Sequence, residues 1–269
     1  MNKITRHYIE SEGLQIHYYK SGDSKNSLLL FHESPQSGQV YLKALPYLSE
    51  DFTVYAFDTP GYGMSDAPEE PLNIVDYSAL LVGAIKNLPI NNYATGGCHT
   101  GASIALEVIK QLGQQNALFC VLNGVPYFSE EERNKYANSW SPEVQIDDKG
   151  EHLMWAWNRY KNIYGDKASS EMINFGTIGI LNCLDKYNWA YNAAFDYVPD
   201  KLIEELDVPM LFLNTNNDLL THCDIEANKV AKNSTISLHT DHLGQLHLRE
   251  PEIYGTEAVS YTHLRAHET

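Results

Sequence analysis

Apolar residues fall in short blocks between turn residues, and the blocks alternate between two periods. Ile4 to Tyr19 reads as two short strands about the turn Ser11-Glu12-Gly13, with Leu14, Ile16 and Tyr18 alternating against polar neighbours. Ser27-Leu28-Leu29-Leu30-Phe31-His32 is instead apolar almost throughout, as a parallel strand covered on both faces must be. Thr53 to Phe57, Tyr93 to Gly96, Ala117 to Leu122, Val208 to Leu213 and Thr235 to His239 continue the strand series. Helical spacing separates them. Val40, Leu42, Leu45 and Leu48 predict a helix over Gln39 to Leu48; Ile74, Tyr77, Leu81, Ile85 and Leu88 predict a second; Ala102, Ile104, Ala105, Val108, Ile109 and Leu112 predict a third. Such alternation predicts an α/β fold with a mostly parallel central sheet, flanking helices and right-handed crossovers.

The rhythm breaks between about Pro126 and Pro199, where the period is helical and aromatics accumulate: Trp140, Trp155, Trp157, Tyr160, Tyr164, Phe175, Trp189, Tyr191, Phe195 and Tyr197. This stretch reads as a helical lid over the C-terminal edge of the sheet. Most of its rings are expected to form the insertion's own core, with Trp155 and Trp189 reaching the ligand. The division is therefore 1–125 and 200–258 as the α/β core, 126–199 as the cap, and 259–269 as a tail whose abrupt change of character marks it as non-native.

Composition narrows the partners. A net charge of −16 argues against gripping nucleic acid or an anionic membrane, because phosphate binding concentrates Lys and Arg. No stretch approaches the roughly 20 apolar residues of a membrane span, and the N-terminus lacks an apolar signal core. Cys98, Cys120, Cys183 and Cys223 show no zinc-ligand spacing and read as reduced thiols of a cytoplasmic protein, monomer or homodimer, that binds a small molecule. No dinucleotide fingerprint, P-loop or H-E-x-x-H motif occurs, so neither metal nor organic cofactor is expected.

Ligands of an α/β sheet collect beyond the carboxyl ends of its strands. Three loops there carry chemistry: His32-Glu33-Ser34-Pro35, the tight turn Gly97-Cys98-His99-Thr100-Gly101, and Asn214-Thr215-Asn216-Asn217-Asp218. Together with Asp58-Thr59-Pro60-Gly61-Tyr62-Gly63-Met64-Ser65-Asp66 and Arg249-Glu250-Pro251-Glu252, they give the chain a resemblance to the α/β-hydrolase superfamily. The likeness is to its lidded branch of esterases, epoxide hydrolases and haloalkane dehalogenases. It implies a cofactor-independent hydrolase of a small, partly apolar ester, lactone or carbon–carbon substrate. Backbone N–H groups of Glu33 and Thr100 would form the oxyanion hole, with His32 on the substrate side.

The departures from that pattern are specific. The family's elbow, G-x-S-x-G, places its nucleophile at position 99, where this chain has histidine. His99 can form an acyl-imidazole, act as a general base, or persist in a protein that only binds; a lyase using it as base is a further alternative. Cys98 is expected to point into packing, not into the pocket. Asp218 stands at the triad acid's place, whereas Asp224 reads as a helix cap. For the triad base, His242 follows the last strand at the right distance, with His247 as the alternative; counting back seven residues from Pro251, the family's spacing, lands on Gly244. His239 reads as a strand residue and His222 as solvent-facing. Glu33 replaces the glycine common after the oxyanion-turn histidine, which makes its carboxylate a candidate acid–base group.

Overall fold

A computed structural model describes residues 2–137 and 139–266, with side chains described as far as 261. A hairpin of β1 (Thr5–Ser11) and β2 (Leu14–Ser21) opens the chain. It is followed by β3 (Asn26–Phe31), α1 (Leu45–Leu48), β4 (Thr53–Phe57), α2 (Ile74–Lys86), β5 (Asn92–Cys98), α3 (Thr100–Leu112) and β6 (Ala117–Asn123). Between β6 and the next strand lie α4 (Glu130–Ala137), α5 (Glu151–Tyr164), α6 (Ser170–Asn182), α7 (Trp189–Asp196) and α8 (Asp200–Glu205). The chain then returns to the sheet through β7 (Met210–Thr215), α9 (Thr221–Val230), β8 (Ser234–His239), α10 (Leu246–Arg249) and α11 (Pro251–Ala266). The eight strands pair in the order β1-β2-β4-β3-β5-β6-β7-β8, antiparallel at β1, β2 and β4 and parallel from β4 through β8.

Side-chain alternation divides the central strands between two apolar layers. Leu29 and Phe31 pack with Leu81, Ile104 and Val108 on the α2–α3 side, while Leu28 and Leu30 pack with Leu45, Tyr254 and Ala258 on the α1–α11 side. Burial on both faces is why β3 and β4 read as apolar runs and not as alternating ones.

One expectation needs correction. Gln39 to Leu48 is not one helix: a single 3₁₀ turn, Gly38–Tyr41, is followed by the short α1, which carries Pro46 in its first turn. Pro46 lacks an N–H and its ring crowds the preceding turn, so a helix can start at it but not run through it. Helix α11 continues to Ala266, and Tyr261 is buried with its ring 6.1 Å from that of Phe119. Residues 267–269 of the expected tail lie outside the described residues. Among the described residues no helix is long and apolar enough to cross a membrane.

Candidate active site

β5 ends one residue before His99 and α3 begins one residue after it, so the chain reverses at a single residue with φ +49° and ψ −115°. That conformation is strained for any residue with a Cβ, on the order of 1–3 kcal/mol, and it persists only because its surroundings over-determine it. The two elbow glycines supply the room. A Cβ on Gly97 would stand 2.1 Å from the Gly101 carbonyl oxygen, and one on Gly101 would stand 2.0 Å from that of Phe31. His99 N–H donates to the Asn123 carbonyl (2.9 Å), and its own carbonyl accepts from Ala102 N–H (2.8 Å), which fixes the ring's direction.

The ring reaches Asp218. His99 Nε2 lies 3.0 Å from Asp218 Oδ1 and 3.2 Å from Oδ2, in a pair whose side chains are 19% and 3% exposed. Burial alone would lower the basicity of His99. The Asp218 charge and hydrogen bond, helped by Glu33 and Asp224, outweigh burial and raise the pKa from 6.5 to about 9. Asp218 is held below its ordinary range, since His99 and the Leu220 N–H more than offset its own burial. Glycine is needed once more behind the ring, because a Cβ on Gly124 (φ +67°) would stand 2.5 Å from His99 Cδ2.

Asp224, which reads in sequence as a helix cap, is fully buried. Its carboxylate accepts from the N–H groups of Gly124 and Val125 (both 2.8 Å) and from Asn214 Nδ2 (2.7 Å). It thereby clamps the turn that backs His99. Burial outweighs these bonds and pushes its pKa up to about 7.

His99 lines a cavity. The walls are aromatic and come from the inserted segment: Phe128, Tyr136, Trp140, Tyr160, Tyr191 and Phe195. Glu33 and Thr100 also line it. Thr100 opens α3, so its amide has no intrahelical acceptor and is free for a ligand. Glu33 is buried, and its carboxyl is held below the usual range because His247, a backbone N–H and His99 together outweigh desolvation.

Of the residues singled out in sequence, the structure brings together His99, Asp218, Glu33 and Thr100. His242 points elsewhere: its Nδ1 lies 3.2 Å from Glu250, outside the cavity lining. His247 is completely buried with Nε2 3.3 Å from Glu33 Oε2, and it does not touch Asp218. The family's base position is spatially beside the acid, since a Cβ on Gly244 would stand 2.8 Å from Asp218 Oδ2. That residue is glycine, and the ring from position 99 engages the carboxylate instead. His32 does not line the cavity; its Nδ1 donates to the Glu33 carbonyl (2.8 Å) and its Nε2 accepts from Thr59 N–H (3.0 Å), so it shapes the turn. Trp155 packs edge-on to Tyr187 inside the insertion. At about 100° per residue it lies about 140° around α5 from the cavity-lining Tyr160. Trp189 carries Lys186 over its ring, also away from the cavity. His222 pairs with Glu132 (2.9 Å) at half exposure, and His239 pairs with Glu257. Cys98 is buried with its thiol on Asn123 Oδ1, away from the cavity. The residues that sequence reasoning missed are Asp224, Gly124 and the true cavity aromatics.

The dyad should leave a mark on stability. Because the folded pKa of His99 lies above its unfolded value, the pair's contribution is fully present below about 6.5 and is lost as pH rises through about 9. Thermal melts should therefore show Tm falling between those pH values in the wild type and a flatter dependence in His99→Ala. Parallel curves would contradict the ion pair.

The parallel sheet, the strand-to-helix elbow, the acid loop after β7 and the helical segment between β6 and β7 define the α/β-hydrolase fold. Solved structures agree. The esterase EaEST from Exiguobacterium antarcticum matches with a TM-score of 0.80 at 17% identity, over 95% of this chain and 98% of that one. The esterase RhEst1 from Rhodococcus sp. ECU1013 matches with a TM-score of 0.76 at 20% identity, over 96% and 98%. A bromoperoxidase from Bacillus anthracis gives 0.76 at 19% identity, over 96% and 99%. Among curated proteins, the soluble epoxide hydrolase of Corynebacterium sp. (strain C12) is 39% identical over 66 residues, 24% of this chain; the chain spans 23% of that relative's length. No family model matches the chain.

Proposed function

We propose that the protein is a cofactor-independent hydrolase of small, partly apolar carbonyl compounds, esters or lactones foremost. In this reading His99, backed by Asp218, activates water directly, with no covalent acyl-enzyme. The observation that carries the proposal is the His99–Asp218 pair at the elbow, facing an aromatic-walled cavity beside the free Thr100 amide. With Nε2 committed to Asp218, the working nitrogen is Nδ1, adjacent to the ring's attachment carbon. Crowding there disfavours attack by the ring on a substrate carbonyl but leaves room for transfer of a proton from a small water. Neutral His99 takes the proton, Asp218 stabilises the resulting imidazolium, the hydroxide adds to the carbonyl, and the Thr100 and Glu33 amides receive the oxyanion. His99 then returns the proton to the leaving oxygen. The esterase and epoxide hydrolase neighbours support hydrolysis as the reaction class. Four free, buried cysteines suit a reducing cytoplasm, and a small-molecule pocket lined by one chain is compatible with a monomer or homodimer.

A panel of short-chain chromogenic esters and lactones tests this, with turnover followed optically and the protein weighed by mass spectrometry after acid quench. Turnover of some members without an acyl adduct is expected. Absence of turnover across the panel would contradict hydrolysis, and an adduct on His99 would contradict direct water attack.

A further inference from the structure

At the elbow, three side chains of different chemistry converge. The Glu33 carboxylate, the Cys98 thiol and the His247 imidazole each offer one donor atom, and these atoms all lie within 4.8 Å of one another. They come from three neighbouring parts of the fold: the turn after β3, the last residue of β5, and α10. Their exposures are 3%, 1% and 0%, so water from the surface does not solvate them. Neither Glu33 oxygen and neither His247 nitrogen has an aligned hydrogen-bond partner, although Glu33 and His247 stand 3.3 Å apart. The Tyr164 hydroxyl, also buried and without a partner, feels the charges of both Glu33 and Cys98. Buried polar atoms are nearly always satisfied, and several left open at one point signal a missing ligand.

We propose that Glu33, Cys98 and His247 bind a divalent transition-metal ion of the zinc class. Thiolate, imidazole and carboxylate together are a zinc donor set, whereas magnesium and calcium take oxygen ligands and leave a thiolate unused. Bonds of about 2.0–2.3 Å in a tetrahedral site bring ligand atoms within roughly 3.3–3.8 Å of one another. The Glu33–His247 separation already meets that, and Cys98 has about 1 Å to travel, leaving its contact with Asn123. On binding, the S–H bond of Cys98 breaks, its proton leaves to the buffer, and the sulfur lone pair forms the new bond; His247 binds neutral. One dipositive ion with one thiolate and one carboxylate is neutral overall, which suits a buried site. Because Glu33 also lines the cavity, the remaining coordination position is filled from there, by water or another small oxygen donor.

Titrating the chelator-treated protein with Co²⁺ tests the assignment without any substrate, so its outcome is independent of the hydrolase reading. One equivalent should bind with a thiolate-to-cobalt absorption band in the near ultraviolet and release of one proton, and Zn²⁺ should displace it. Cys98→Ser should lose the band, and Glu33→Gln and His247→Ala should each weaken binding at least tenfold, with circular dichroism reporting that the variants fold. Sub-stoichiometric binding by the wild type, or a band that survives Cys98→Ser, overturns the proposal and leaves water as the ligand of these groups.

Discussion

His99→Ala should lower kcat/KM toward an activated ester by about 10²–10⁴-fold, the range that a positioned general base contributes. The substitution removes the only ring that touches Asp218 among the described residues, and neither His242 nor His247 is placed to replace it. KM should change little, because the aromatic walls that hold the substrate lie on the inserted helices and not on the elbow. Steady-state kinetics on the best ester of the panel decide it. Unchanged turnover in His99→Ala would remove His99 from the chemistry. His99→Ser should not recover ordinary serine-hydrolase activity, since Gly244 supplies no base beside Asp218.

Gly101→Ala should be the most damaging single methyl in the core. Its Cβ would meet the carbonyl oxygens of Phe31 at 2.0 Å and His32 at 2.7 Å, both backbone atoms of the strand and turn that carry Glu33. No rotamer relieves such a clash, so β3 and α3 must part, at a destabilisation of about 4 kcal/mol or more, above the roughly 1–3 kcal/mol typical of overpacking because the obstructing atoms are backbone. Gly13→Ala is the control. It meets nothing within 4 Å and suffers only its φ of +81°, a strain of about 1–2 kcal/mol. Thermal unfolding of the two variants should therefore separate widely, with Gly101→Ala melting far lower or failing to accumulate as folded protein. Similar melting temperatures would mean that the elbow is not packed as tightly as these distances require.

Much of the fold was legible in the sequence because it rests on local patterns. The run Leu28-Leu29-Leu30-Phe31 is apolar throughout because alternate residues face two different cores, and Gly97 and Gly101 bracket position 99 because the backbone turns there. The site was legible in part, and its losses have physical reasons. His242 and His247 both follow β8 at plausible distances, but which ring meets Asp218 depends on where three loops meet in space, and the ring that does so starts from β5's end. The spacing to Pro251 did point at Gly244, and the structure places that residue against the acid. Trp155 and Trp189 do not line the cavity, and helix phase relative to a cavity cannot be taken from one sequence. Asp224 looked like a cap because aspartate is common at helix starts, whereas its carboxylate faces inward to hold Gly124 and Val125.

The pH dependence of kcat/KM for hydrolysis, measured from pH 6 to 10 with the His99→Ala rate subtracted at each point, reads the protonation state of His99 in the free protein. If neutral His99 is the base, kcat/KM climbs about tenfold per pH unit and levels near pH 9, where the ring loses its proton. A profile that falls as pH approaches 9 would mean that the imidazolium is the working form, and one that is flat over that range would mean that the charge of His99 does not enter the rate; either result contradicts activation of water by His99.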